Sequence, residues 1–318
     1  MLGEESVMGS AGLGKVLLAA ATVPLALAAP HASAAPDVAT PEVATHDLTL
    51  DDAGRAVPVR VFAPASGCSN CTLVIFSHGA NASYARYDVL LKDWAARGFV
   101  VAAPQHVDSE EHPRRDAFKT ADGRLLRMRD YALVDAAFAP SAPRQIGSLS
   151  FSGTVVAAGH SYGALIAQIA GGARIQRPDG DFERVWRSPK AVIAISPPPA
   201  MAGFTSLEGW SHVSVPQLVV TGTTDQMPGF VDDWRRHLDS YAASRPGLGF
   251  ALVFEGMDHN FNGAYCRITP EGARAAPQVA QLNAAINHFI AKAAGGTLPT
   301  APEWLKTQGA PGVEPRAN

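Results

Sequence analysis

The feature that most constrains this chain is the pentapeptide GHSYG at residues 159–163. A short apolar run precedes it at 154–158, and residues 164–170 have the composition of a helix. A very sharp turn from strand to helix leaves no room for side chains two positions before and two positions after its central residue, and both positions here are glycine. Such a turn exposes the hydroxyl of Ser161 at the positive end of the helix. The pentapeptide alone is a weak signal in a chain with 29 glycines, so the context carries the inference.

Two later strand-like runs end in residues that are able to assist a serine. Residues 217–222 are apolar and lead through a glycine turn to Asp225, and residues 250–254 lead into a loop that holds His259. The carboxyl ends of parallel strands meet at one edge of a sheet, so Asp225 and His259 are expected to converge on Ser161.

The motifs resemble those of serine esterases of the α/β-hydrolase superfamily. The branch is the one that holds dienelactone-hydrolase-like proteins, platelet-activating-factor acetylhydrolases, chlorophyllases and polyester hydrolases. The similarity spans about 45–294 and is most specific at 76–79 (FSHG), 98–106 (GFVVAAPQH) and 159–164 (GHSYGA). Dienelactone hydrolases proper use a cysteine nucleophile, whereas this chain has Ser161. The resemblance therefore implies the fold and ester chemistry, and does not imply dienelactone as the substrate.

The resemblance also implies the catalytic roles. Hydrolases of this fold place nucleophile, acid and histidine in that chain order, here Ser161, Asp225 and His259. Their oxyanion hole uses two backbone N–H groups, which would be those of Ala80, after the strand at 73–77, and of Tyr162. Asp258 adjoins His259, but neighbouring side chains in an extended loop tend to project apart, so Asp225 is preferred. The chemistry requires no cofactor and no metal ion.

Strand-like and helical runs alternate along the chain. This alternation predicts a mostly parallel central sheet with helices on both faces. A single α/β-hydrolase domain is expected over 35–294. Eight of the last 24 residues are glycine or proline, so residues 295–318 are predicted to form a mobile tail.

Residues 1–34 have the pattern of a secretory signal peptide. Lys15 precedes an apolar run at 16–29 that is too short for a stable membrane span, and 32–34 (ASA) form a small-x-small cleavage site. Cleavage there starts the mature chain at Ala35 and places it outside the cytoplasm, secreted or periplasmic. A genuine membrane anchor is the alternative.

The start of the chain has two interpretations. Glu4 and Glu5 are unusual in the positively charged first part of a signal peptide. Translation is therefore expected to begin at Met1 or at Met8, and the sequence leaves both open.

The charge content bounds the partners of the protein. Charged residues make up 17% of the chain, and the formal net charge is −3. This balance gives no electrostatic case for binding nucleic acid or an anionic membrane surface. The expected partner is a small-molecule or polymeric ester, and the oligomeric state is not indicated.

Three cysteines suit an exported protein. Cys68 and Cys71 are spaced to close a small disulfide just before the strand at 73–77. A redox-active CxxC pair instead opens a helix after a strand, and zinc needs more ligands nearby than this segment offers. Cys266 is expected to be free or buried.

Several other polar residues are interpreted as structural. His160 points away from the nucleophile by its spacing, and His78 is expected to brace the oxyanion loop. A solvated loop is favoured over a metal site for the polar cluster His106, Asp108, Glu110, Glu111 and His112. Loop bracing is also expected of Arg127, Arg129 and Asp130.

Substrate contacts and competing functions stay open. Four residues follow strand ends and are candidates to line an acyl or alcohol pocket, with core or lid packing as the alternative: Trp210, Phe204, Met201 and Phe261. No long apolar insertion resembles a lipase lid, so an open site and short or medium acyl chains are expected. A peptidase or acyltransferase on the same triad, or a catalytically inactive hydrolase fold that binds a ligand, are the alternatives.

Overall fold

A computed structural model describes residues 41–112, 115, 123–141, 146–175, 186–202, 205–307 and 310–318. The predicted signal peptide over 1–34 lies outside the described residues. Phe204, one of the four substrate-pocket candidates, lies outside them as well.

The described residues form one sheet of nine strands in the order β1-β2-β4-β3-β5-β6-β7-β8-β9. Strands β3 to β8 pair in parallel, whereas β1, β2 and β9 join antiparallel. The strands are β1 Val43–Asp52, β2 Arg55–Pro64, β3 Cys71–Ser77, β4 Val100–Pro104, β5 Phe151–His160, β6 Ala191–Ile195, β7 Gln217–Gly222, β8 Gly249–Phe254 and β9 Val313–Ala317. The expected mostly parallel α/β sheet is confirmed.

Helices connect the parallel strands. They are α1 Asp88–Ala96, α2 Gly123–Ala137, α3 Tyr162–Ala170, α4 Leu207–Ser211, α5 Asp239–Ala242, α6 Ala276–Ala294 and α7 Ala301–Thr307, with 3₁₀ turns at Tyr84–Tyr87, Trp234–Leu238 and Pro270–Ala275. Pro277 opens α6, where a missing N–H costs nothing, and Gly296, with a φ of 73°, follows its end.

Both faces of the sheet are buried, as successive residues of β3 show. Leu73 and Ile75 belong to a core cluster that also contains residues of α2 and α3. Val74 and Phe76 belong to a second cluster that contains residues of α1 and α6. Successive strand residues point to opposite faces, so a strand covered on both sides must be apolar throughout. The four residues Leu73 to Phe76 satisfy this requirement.

The prediction of a mobile tail over 295–318 is wrong. Helix α7 and strand β9 lie within it, and Thr40–Asn318 cluster as one compact unit. Trp304 is fully buried against Phe250 and Phe289, with ring centroids 5.6 and 5.7 Å apart. Strand β9 pairs with the edge of β8. The glycine and proline content of this segment favoured a mobile tail. It gave no sign that Trp304 packs on Phe250 and Phe289 or that β9 pairs with β8, because these contacts involve distant parts of the chain.

Among the described residues, no helix is long and apolar enough to cross a membrane.

Candidate active site

The structure brings Ser161, His259 and Asp225 together at the carboxyl edge of the sheet. The Nε2 atom of His259 lies 2.9 Å from the hydroxyl oxygen of Ser161, and its Nδ1 lies 2.8 Å from Oδ1 of Asp225. With Nδ1–H donating to the carboxylate, Nε2 presents a lone pair to the serine O–H. These are the contacts by which an imidazole is able to take a proton from a hydroxyl.

The turn at Ser161 has the strained geometry that its two glycines predict. Ser161 has a φ of 54° and a ψ of −120°, a conformation that non-glycine residues rarely adopt. A Cβ added at Gly159 would overlap the backbone of Gly163, and one added at Gly163 would overlap the carbonyls of Ser77 and His78. The turn therefore holds Ser161 at the tip between β5 and α3 and packs α3 directly on the end of β3.

Asp225 is a fully buried carboxylate with three side-chain neighbours. Its Oδ2 accepts a hydrogen bond of 2.8 Å from the hydroxyl of Thr221, and its Oδ1 faces His259 and also His237, whose Nε2 lies 3.0 Å away. Burial opposes the charged form, but the hydrogen bonds from the two histidines outweigh it and hold the pKa of Asp225 well below its usual range. Asp225 is therefore ionised at neutral pH.

Asp225, His237 and His259 also form the one group of three described residues with ligand atoms near enough to hold a metal ion. Ligands on a tetrahedral ion with bonds of about 2.0–2.2 Å lie roughly 3.3 Å or more apart. The two nitrogens instead lie 2.8 and 3.0 Å from one carboxylate oxygen. These two nitrogen–oxygen distances are those of contacts that share a proton, and they are shorter than the spacing of two ligands on one metal ion.

His160, inside the turn, belongs to a chain of buried hydrogen bonds. Its Nε2–H donates to the backbone oxygen of His259 over 2.8 Å, so Nδ1 accepts the hydroxyl proton of Tyr87, also over 2.8 Å. The same hydroxyl accepts the N–H of Gly79 over 3.0 Å. Burial, aided by His259, lowers the pKa of His160 to about 3 and keeps it neutral. This series of hydrogen bonds connects the loop that holds His259 to the loop after β3, which agrees with the structural role expected of His160.

The two residues expected to form the oxyanion hole lie in segments that touch. Ala80 is exposed in the loop after β3, and Tyr162 is the first residue of α3. The backbone of Gly163 packs against the carbonyls of Ser77 and His78, which sets the start of α3 beside that loop. The arrangement suits two backbone donors aimed at one oxygen near Ser161.

Arg127 of α2 holds both of these segments. Its fully buried guanidinium donates to the backbone oxygens of His78, over 2.6 Å, and Gly79, over 3.2 Å. It also makes a two-pronged ion pair with Asp108, over 2.8 and 2.7 Å, and lies 4.6 Å from the ring centre of Tyr162.

Asp108 completes the connection, because its Oδ2 accepts the N–H of Asn81 over 3.1 Å. Burial opposes its charge, but Arg127 holds the pKa of Asp108 well below its usual range. The ion pair between Arg127 and Asp108 therefore fixes the backbone on both sides of Ala80.

The expectation of a solvated loop for the cluster at 106–112 holds for Glu110 and Glu111, which are exposed, and is wrong for its other three residues. His106, Asp108 and His112 are buried. His106 Nδ1 lies 2.7 Å from Asp130, and its backbone N–H donates to Nε2 of His78 over 3.0 Å. The segment packs beneath the loop after β3 because Arg127 and Asp130 of α2 supply partners for its polar groups. The bracing role expected of His78, Arg127 and Asp130 agrees with these contacts, whereas Arg129 reaches only Asp52 at the surface.

Burial rules out two of the substrate-pocket candidates. Trp210, a residue of α4, is fully buried in the core. Phe261 is fully buried as well and stacks on Tyr265 with centroids 5.2 Å apart. Both residues follow strand ends, but their chain positions turn inward, so they pack the core and do not line an open site. Met201 is half-buried in the loop after β6, and its contact with substrate stays a prediction.

Cys68 and Cys71 form a disulfide in the structure. Cys266 is a free cysteine, half-buried near Gly79.

Comparisons with known proteins agree with this architecture. A family model for platelet-activating factor acetylhydrolase, isoform II, matches residues 41–113. No curated protein is similar enough in sequence to match the chain. A ferulic acid esterase from Streptomyces cinnamoneus superposes with a TM-score of 0.57 at 17% identity, covering 88% of this chain and 97% of its own. The chain has an α/β-hydrolase fold.

A second solved structure of similar fold is a thermophilic esterase from Thermogutta terrifontis, with a TM-score of 0.55 at 16% identity, covering 83% of this chain and 95% of its own. The same esterase has been solved phosphorylated by paraoxon, and that structure superposes with a TM-score of 0.55 at 15% identity, covering 80% and 95%. At these identities the likeness establishes the fold.

Three residues that contact the candidate site were missed by sequence reasoning. His237 lies in a 3₁₀ turn twelve residues after Asp225, and Thr221 lies within β7. Tyr87 ends the 3₁₀ turn before α1 and is buried. Asp108 was considered only as part of a polar loop. No motif marks any of them, and the fold sets their partners: Thr221 lies four residues before Asp225, and the other three lie farther from theirs.

Proposed function

We propose that this α/β-hydrolase is a serine hydrolase of carboxylic esters that acts through an acyl-enzyme. The observation that supports it best is the position of His259, within hydrogen-bond distance of both Ser161 and Asp225. In the first step the Ser161 oxygen attacks the ester carbonyl while Nε2 of His259 takes the hydroxyl proton. Asp225 orients the imidazole and stabilises it while it carries a positive charge.

The remaining steps use the same groups. The backbone N–H groups of Ala80 and Tyr162 stabilise the oxyanion of the tetrahedral intermediate. His259 returns its proton to the leaving alcohol, and the acyl group stays on Ser161. Water, deprotonated by His259, then attacks the acyl-enzyme and releases the acid. The sequence of steps uses no cofactor.

The test is reaction with p-nitrophenyl acetate and with a fluorophosphonate, a reagent that phosphonylates activated serines as paraoxon phosphorylates the similar esterase. We expect hydrolysis by the wild type and labelling at Ser161 only. Ser161→Ala should lose on the order of a million-fold in kcat, as removal of a triad nucleophile does elsewhere. Unlabelled wild-type protein with no turnover would instead favour an inactive binding protein on the same fold.

The substrate is an ester of short or medium acyl chain, small or part of a polymer. This rests on the absence of a lid-like insertion from the sequence pattern. Activity measured over acyl chains from two to sixteen carbons, and on a polyester film, tests it. A sharp rise in activity above the solubility limit of a long-chain ester would contradict it.

We also propose that the protein is exported, secreted or periplasmic, with residues 1–34 removed. The apolar run at 16–29 and the small residues at 32–34 support this. Intact-mass measurement of protein from its native host should give a chain that starts at Ala35. Full-length protein in the membrane fraction would mean that the segment is an anchor.

A further inference from the structure

His237 is a fully buried histidine that the proposed catalytic cycle does not use. It lies in the 3₁₀ turn Trp234–Leu238, between the loop after β6 and the acid Asp225. Its Nδ1 lies 2.6 Å from the backbone oxygen of Pro197, and its Nε2 lies 3.0 Å from Oδ1 of Asp225. Its ring centre is 5.6 Å from that of His259.

Both ring nitrogens of His237 therefore face hydrogen-bond acceptors. A backbone oxygen has no proton to give, and Asp225 is ionised, so neither neighbour is able to donate. A neutral imidazole carries a proton on one nitrogen only, so the other nitrogen, an acceptor, would lie close to an oxygen that is also an acceptor. Either neutral tautomer thus places two acceptors 2.6 or 3.0 Å apart in a site without access to solvent.

The imidazolium avoids this conflict because it has an N–H on each nitrogen. The approach of Nε2 to Asp225 departs from the ideal direction of a hydrogen bond, so Nε2 has no described partner in hydrogen-bond geometry. Attraction between a cation and an anion at 3.0 Å depends little on direction, so it suits this contact better than a neutral hydrogen bond does.

We propose that His237 is held as an imidazolium and is a positioning residue of the triad, so that the single charge of Asp225 is shared between two imidazoles. Only the expected effect of His237 on the kinetics rests on the proposed function. The protonation state itself follows from the contacts of His237. Burial alone would lower the pKa of His237, but the carboxylate of Asp225, together with the Pro197 carbonyl, raises it above its ordinary value.

The consequence for the triad is electrostatic. A fixed cation beside Asp225 opposes a second positive charge within the triad, so its removal should shift the acid limb of the pH profile. Within the part of the chain that the structure describes, the titratable groups recorded against His237 are Asp225 and His259, with His160 behind them. His160 is neutral, so the balance is between one carboxylate and two imidazoles.

Nuclear magnetic resonance of protein labelled with ¹⁵N-histidine tests the protonation state without any substrate. We expect both ring nitrogens of His237 to be protonated at pH 7. Its signals are assigned by their absence in His237→Gln. His288, half-buried on α6, is the internal control, because burial lowers its pKa and its ring should carry one proton at the same pH. Asp225→Asn should return His237 to a single proton.

The pH profile of kcat/KM tests the positioning role. In His237→Gln the cation is lost while an amide remains to donate to Asp225. We expect the midpoint of the acid limb to rise by about one pH unit or more, from two charges 5.6 Å apart at an effective dielectric of about 20–40. The loss relative to the wild type should be about tenfold or less at pH 8, and it should grow by about a further tenfold as pH falls from the new midpoint to that of the wild type. His288→Gln should match the wild type throughout.

Two results would overturn the proposal. One is a His237 ring with a single proton at pH 7, and the other is a loss in His237→Gln that is the same at every pH, as a purely structural role would give. Dialysis against a chelator should leave the His237 signals unchanged, and a change would mean that a metal ion and not a proton joins these residues. A wild type that hydrolyses no ester would defeat the proposed function and leave the resonance test to decide.

Discussion

Replacement of Arg127 by methionine tests whether the buried ion pair with Asp108 sets the oxyanion hole. The guanidinium donates to the carbonyls of His78 and Gly79 and lies over the ring of Tyr162. Methionine keeps much of the apolar volume and removes every one of these hydrogen bonds. The variant therefore separates loss of bracing from loss of packing.

The effect on stability follows from what is left behind. Asp108 is fully buried, and without Arg127 the N–H of Asn81 is its one remaining partner among the hydrogen bonds described above. A buried charge that loses its partner costs about 3–5 kcal/mol of the free energy of unfolding. For a domain of this size that lowers Tm by roughly 5–15 °C. Asp108→Asn together with Arg127→Met should recover part of the loss, because the uncompensated charge is gone.

The effect on activity is worked from the position of Ala80. Contacts with Arg127 and Asp108 hold both of its neighbours, Gly79 and Asn81. Loss of one oxyanion donor elsewhere costs about 10²–10³-fold in kcat, so a displaced donor should cost about 100-fold here. The assay is kcat for p-nitrophenyl acetate at a temperature well below the Tm of the variant, with folding checked by circular dichroism.

The matched control is Arg129→Met on the same helix. The Arg129 side chain is 48% exposed and pairs with Asp52 at the surface, so its loss should cost less than about 1 kcal/mol and leave kcat within twofold. If Arg127→Met folds and its kcat lies within threefold of that of Arg129→Met, the ion pair does not set the oxyanion hole.

Three further predictions concern the carboxylate of the triad, the loss of stability at low pH and the C-terminal segment at 295–318. Asp225→Asn should lower kcat about a thousand-fold or more. Asp258→Asn should lower kcat no more than about tenfold, because Asp258 accepts backbone N–H groups of its own loop. Equal losses in the two variants would mean that Asp225 is not the acid of the triad. The pKa of Asp108 is depressed in the folded protein, so the stability it contributes is present above its unfolded pKa and is lost as pH falls below about 4; Tm should drop less steeply there in Asp108→Asn. Trp304→Ala should cost about 3–5 kcal/mol in urea unfolding, and a value under 1 kcal/mol would restore a loosely attached tail.

The local pattern of the sequence determined the fold and the three residues of the proposed triad. The strand at 154–158, the two glycines and the helix after them predict the turn at Ser161, because that geometry admits few other residues. The apolar strands before Asp225 and His259 place those residues at one edge of the sheet, since parallel strands end together. These inferences hold because each depends on residues near one another in the chain and on a regular sheet.

Tertiary structure alone decided what surrounds those residues. His237 reaches Asp225 through a 3₁₀ turn of no marked sequence, and Arg127 reaches the loop after β3 from a helix almost fifty residues away. Trp210 and Phe261 follow strand ends yet point into the core, and the tail joins the sheet through β9. Polar partners of buried groups and the inward or outward turn of a loop depend on contacts between distant segments, and no local pattern in the chain records them.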